Sequence, residues 1–234
     1  MTYNKINNLL GWLSFLTALI VYTLTLEPSS SFWDSGEFIA SAYKLQVVHQ
    51  PGAPLFLMLG KAFSLLAGDD TSRVAFWVNM CSAVASAATI LFLFWTITAL
   101  ARKVYSKQND ELSEWETISI MGSGLVGALA YTFSDSFWFS AVETEVYALS
   151  SLCTALVFWA ILKWDKHADE PYADRWLIFI AYVMGLSIGV HLLNLLAIPA
   201  IALVYYFRKT KERTSSGTLL ALLAGIIILA FIQY

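Results

Sequence analysis

Charge is what this sequence has least of. Asp, Glu, Lys and Arg make up only 13% of its 234 residues, against 58% hydrophobic ones, whereas a soluble domain carries roughly a quarter charged residues. That balance excludes an ordinary water-soluble globule. Cysteine is scarce as well: Cys81 and Cys153 both sit inside apolar runs, so neither a disulfide framework nor a CxxC metal site fits. No glycine-rich phosphate loop, serine-nucleophile elbow or basic nucleic-acid patch is present. The chain also lacks a Pro- or Gly-rich linker, an internal repeat and a low-complexity tract, so residues 1–234 read as a single module.

What fills the chain instead is long apolar runs. Runs of about 18 residues or more cross a bilayer as helices, which predicts spans near 9–26, 74–100, 117–133 and 146–162, and a last one from about 218. The first run has only Lys5 as a basic flank and no small-x-small site after it, so it reads as a retained span rather than a signal peptide. The stretch 176–207 is either one long helix or two short ones turning near His191. Basic residues collect on the inner side of membranes. Two crossings put Lys5 and the loops at 102–107, 163–175 and 208–213 on one side, leaving only Lys44, Lys61 and Arg73 of the 14 Lys and Arg opposite. The expectation is thus an all-α polytopic bundle with about seven transmembrane helices, in which crossings of roughly 15 residues are tolerable within a bundle. Its outer loop, 27–73, carries two interfacial helices near 34–44 and 55–66, the second too short to span.

The residues with chemistry cluster on that outer side. In Phe32-Trp33-Asp34-Ser35-Gly36-Glu37-Phe38, the aromatics suit headgroup depth. A helix there places Asp34, Glu37, Ser41 and Lys44 on one face. The same spacing is a capping box, with Asp34 as cap and Glu37 reaching back. Both readings stand at this stage. His49, in the turn HQPGAP that joins the two outer helices, either contacts a phosphate or sugar or is a solvated loop residue. Glu143 and Glu145 open the fourth span, where acidic groups favour a helix N-terminus or recognise sugar hydroxyls. His191 and Asn194 lie in the apolar GLSIGVHLLNLL, and polar groups at membrane depth face a bundle interior or an aqueous path. No spacing among the histidines and glutamates matches a metal-ligand motif, so no metal is expected.

FWDSGEF, AYKLQVVHQPGAPLF, FSDSFWFSAVETEVYAL and GLSIGVHLLNLL together resemble a bacterial, Bacteroidetes-type multi-pass family related to the vertebrate O-mannosyltransferase acting on plexin-type IPT domains, among the GT-C glycosyltransferases. Gln50, Thr144 and Ser35 stand where that family pattern has proline, glycine and cysteine, and none of the three removes a carboxylate or histidine. The resemblance implies a GT-C-like fold, here the N-terminal part of a longer enzyme. It implies transfer of a sugar, mannose, from a polyprenyl-phosphate donor to Ser or Thr of exported proteins, at the outer face of the cytoplasmic membrane and without a cofactor. It further implies Asp34 and Glu37 as catalytic carboxylates, and Lys44, His49, Lys61, Glu143, Glu145, His191 and Asn194 as donor- or substrate-binding candidates. Transfer to a glycolipid or polysaccharide is the alternative within the same chemistry. A lipid-linked-substrate transporter is the alternative outside it, though no repeat supports the second.

Overall fold

The computed structural model describes residues 2–105 and 112–233, and among these every regular element is helical. In chain order the helices are α1 (Tyr3–Leu24), α2 (Ser35–Lys44), α3 (Pro54–Ser64), α4 (Val74–Tyr105), α5 (Glu114–Thr132), α6 (Asp135–Val142), α7 (Val146–His167), α8 (Arg175–Ile188), α9 (Ile198–Lys209) and α10 (Ser215–Gln233). Helices dominate because hydrocarbon offers no partner for backbone N–H and C=O groups, and a helix satisfies them within its own segment. Among the described residues five segments are long and apolar enough to cross a membrane: α1, α4, α7, α10 and the stretch Leu192–Lys209 that includes α9. A sixth arises if α5 and α6, bent by 64° at their junction, form one span. The protein is a multi-pass membrane bundle.

Local chemistry sets the helix ends. α5 begins with a capping box in which Ser113 Oγ accepts from the Glu116 amide and the Glu116 carboxylate accepts from the Ser113 amide, 2.8 Å away. The 176–207 stretch is two pieces. The Ser187 carbonyl accepts from both Val190 and His191 amides, at 2.9 and 2.8 Å, and His191 then leaves in an extended conformation. The break falls near His191, where a turn between two short helices was expected. At 14 residues, about 21 Å, α8 is the short member, and α2 and α3 are shorter still.

α4 is the central helix, packed by α1 and α5 on one side and α7 on the other. Small residues permit the close approaches: a Cβ on Gly124 would fall 2.8 Å from the buried Phe94 ring, and one on Gly225 of α10 would fall 2.6 Å from Pro199 Cα of α9. Large apolar side chains such as Leu220, Ile227 and Phe231 remain exposed along α10, as a lipid-facing surface requires.

One polar residue inside this apolar frame positions the loops. Asn79 of α4 is fully buried. Its amide donates to the carbonyls of Glu27 at 2.7 Å and Ser29 at 3.0 Å, and its side-chain oxygen accepts from the Thr144 hydroxyl. The loop leaving α1 and the strand-like residues entering α7 are therefore both pinned to α4. The Glu27 amide adds a bond to the Val142 carbonyl at 3.0 Å.

Candidate functional site

Asp34 precedes α2 in a helical conformation (φ −84°, ψ −6°) and its side chain makes no cap bond. The capping-box reading of Asp34 and Glu37 therefore does not describe this helix. Glu37 has other partners: one carboxylate oxygen accepts from the His49 amide and the other meets His49 Nδ1, both at 2.8 Å. A carboxylate accepts only, so Nδ1 carries the proton of this bond. His49 Nε2 then points towards Asp34, 3.8 Å from Oδ2. Glu37 is held below the usual carboxylate range chiefly by its bond from His49, and the same bond raises His49.

The turn after His49 is built by Gly52, which takes φ +74° and donates to the His49 carbonyl at 2.9 Å. Side chains seldom adopt that backbone region, which makes glycine the fitting residue. The first amides of α3 then find an acceptor far away in sequence. The Gly189 carbonyl takes Leu55 N–H at 2.7 Å, and a Cβ on Gly189 would lie 3.1 Å from Leu55 Cβ. That contact carries His191 to the same end of the bundle as His49. Phe38 backs the His49 ring, with centroids 5.7 Å apart.

Asp34, His49, Glu143, Glu145 and His191 line one cavity of about 410 Å³, with Trp33, Phe139 and Tyr147 as aromatic walls. Glu143 is 4% exposed, and burial raises it. Glu27 adds to that rise, and a hydrogen bond from Ser31 opposes it. Burial also pushes Glu145 up to about 7, with Glu143 and Asp34 adding repulsion and His49 partly compensating. His191 Nδ1 accepts from the Leu193 amide at 3.1 Å, leaving Nε2 as the ring's N–H in its neutral form.

Three sequence candidates stand elsewhere. Lys44 lies at the far end of α2, ten residues beyond Asp34 and about 15 Å along the axis. The Lys61 ammonium donates to the Tyr43 carbonyl at 2.6 Å and sits over the Tyr43 ring. Asn194 is buried and donates to Ser187 Oγ at 3.0 Å, an interhelical bond of the kind that locks membrane bundles. Among the described residues no Lys or Arg lines the cavity. The arrangement can accept a proton, through Asp34 or Glu145, and can present a charge-supported imidazole. It can also grip hydroxyls. Asn79, which holds this geometry, was not singled out from the sequence, although a lone amide in the run 74–100 was the available signal, and Thr144 was noted only as a departure from the family pattern.

The pattern extends to known proteins. Residues 34–214 match the family model described as the protein O-mannosyl-transferase TMEM260 N-terminal domain. The chain belongs to that family. The matched region begins at Asp34 and contains every residue lining the cavity except Trp33. The protein O-mannosyl-transferase tmem260 of Dictyostelium discoideum is 27% identical over 200 residues, which is 83% of this chain and 22% of that protein. Its Mus musculus counterpart is 27% identical over 206 residues, 88% of this chain and 27% of that protein. The chain thus spans about a quarter of the length of these curated relatives. No solved structure matches it.

Glu145 supplies a test of this electrostatic picture. Its folded-state pKa lies above the ordinary carboxylate value of 4.5. The folded state therefore binds its proton more tightly, and this contribution to stability is complete below about pH 4.5 and fades as pH rises through about 7. Glu145→Gln keeps the neutral shape at every pH. Its melting temperature is expected to gain on the parent between pH 5 and 8. A parallel pair of melting curves across that range would contradict the assigned burial.

Proposed function

We propose that this chain is the membrane-embedded N-terminal part of a GT-C-type glycosyltransferase that moves mannose from a polyprenyl-phosphate donor to Ser or Thr of exported proteins. The observation that carries the reading is the juxtaposition of Asp34 with a Glu37-held His49 in a carboxylate-lined cavity at the end of the bundle. Family membership supplies the reaction class. A lipid-linked donor keeps its sugar at headgroup height, so the reacting groups must stand where spans end.

In an inverting transfer the acceptor hydroxyl oxygen attacks the sugar's anomeric carbon, and the bond from that carbon to the phosphate oxygen breaks. Asp34 takes the hydroxyl proton as general base. His49, held by Glu37 and charged when protonated, faces the departing phosphate. His191 supplies a second N–H donor. Glu143 and Glu145 bind sugar or acceptor hydroxyls. Glu37 acts through His49 and is a positioning residue, and the phosphate's counter-charge is assigned to the histidines rather than to Lys44 or Lys61. The seven-span topology, with α8 crossing and the cavity on the outer, periplasmic face of the cytoplasmic membrane, follows from the basic loops.

The test is direct. The complete protein, in detergent or liposomes, is incubated with polyprenyl-phosphate mannose and Ser/Thr peptides, and the products are weighed. Addition of one hexose to a hydroxyl side chain is expected. Folded complete protein that leaves all acceptors unmodified while glycosylating a lipid or polysaccharide would assign a different transfer.

A further inference from the structure

A second polar cavity lies at the opposite end of the bundle. The 22 residues of α1 put its two ends about 33 Å apart, and the first turns of α1 and the last turns of α4 and α7 line one space. Its volume is about 360 Å³. Arg102 and Lys103 of α4 and Lys163 and Lys166 of α7 line it, together with the asparagines of α1, and among the described residues no Asp or Glu does. Among the described residues only Lys103 of these four has an ion-pair partner, Asp165. Two of the others are held in place by ring faces: the Arg102 guanidinium lies 4.8 Å from the Tyr3 ring centroid and the Lys163 ammonium 5.3 Å from that of Trp159. Asn7 Oδ1 and Trp95 Nε1, also at this cavity, are buried without a hydrogen-bond partner among the described residues.

The cations do not open onto a wholly polar surface. Trp95, Trp159 and Leu162 form an apolar wall. Trp12, half exposed, meets Trp95 edge to face at 6.3 Å and continues that wall outward. A basic rim over an aromatic, lipid-facing wall suits a ligand with a phosphate at one end and hydrocarbon at the other. Basic pockets between transmembrane helices are suited to anionic headgroups, and tryptophan collects at headgroup depth. We infer that this cavity binds the headgroup of an anionic phospholipid. Its phosphate sits among Arg102, Lys163 and Lys166, and its glycerol and first methylenes lie against Trp95 and Trp159. None of these residues takes part in the proposed transfer, so the two readings fail independently.

The experiment uses the complete protein, delipidated in detergent and titrated with phosphatidylglycerol or phosphatidylcholine, with bound lipid counted by native mass spectrometry. Phosphatidylglycerol is expected to bind in preference to phosphatidylcholine. Each basic residue is worth roughly fivefold, so Lys163→Gln with Lys166→Gln should weaken binding by about 30-fold. If the double variant does not fold, Lys166→Gln alone, exposed and unpaired among the described residues, should weaken it about fivefold. Equal binding of the two lipids, or variant affinity equal to the parent's, would overturn the assignment. Complete displacement of the lipid by millimolar inorganic phosphate would overturn it in favour of a soluble-anion site.

Discussion

Asp34→Asn in the complete protein is expected to lose transfer by about 10²–10⁴-fold, the usual cost of removing a general base, while melting within a degree or two of the parent. The stability half of this expectation comes from the geometry before α2. The Asp34 side chain accepts no first-turn amide, so its carboxylate contributes no cap to lose. Asp34→Ala should therefore be as stable as Asp34→Asn. A working cap would instead separate the two variants, alanine costing on the order of 1 kcal/mol and asparagine almost nothing. Activity and melting temperature of both variants decide the matter together. Near-normal transfer by a well-folded Asp34→Asn would move the base to Glu145, a carboxylate of the same cavity that burial pushes up to about 7.

The second large effect belongs to Asn79, which is remote from any reacting atom. Asn79→Ala removes two donations to loop carbonyls and the acceptor of the Thr144 hydroxyl. The Glu27 and Ser29 carbonyls lead into the segment that ends at Asp34, and Thr144 stands between Glu143 and Glu145. Each buried polar group left without a partner costs about 1–3 kcal/mol, so a loss of about 3 kcal/mol or more is expected, visible as a lower melting temperature. Transfer should fall as well, because both walls of the cavity are released from α4. Asn79→Asp keeps the shape but cannot donate to two carbonyls, and should be damaged to a similar degree. A change below about 0.5 kcal/mol in either variant would mean that the loops hold their places without α4.

How much of this was legible in the residues varies from element to element. The apolar runs behind α1, α4, α5, α7 and α10 were plain, because spanning demands length and hydrophobicity that little else produces. The division of 176–207 was legible too, though only through charge: the run is continuous in hydropathy, and the basic loops forced a turn that the Ser187 carbonyl then makes. The outer carboxylates and histidines were visible as residue types in a chain only 13% charged. Their partners were not. Asp34-x-x-Glu37 is equally good as a cap and as an acidic pair, since spacing within one helical turn serves both.

Composition and charge placement by themselves determined that this protein is a helical membrane bundle with most of its Lys and Arg gathered on one side and Asp34, Glu37, His49, Glu143 and Glu145 on the other. That follows because hydrophobic length and the asymmetry of Lys and Arg act locally, residue by residue, and need no knowledge of contacts. Tertiary structure alone decided which of those side chains meet. Glu37 turned away from its own helix end because the turn at Gly52 returns His49 to it across 12 positions. His191 reached the cavity because the first amides of α3 needed an acceptor and Gly189 offered one. Lys61 was drawn off by the Tyr43 carbonyl. Each of these choices settles a competition for a hydrogen-bond partner between segments distant in sequence, and such competitions are resolved only when the helices pack.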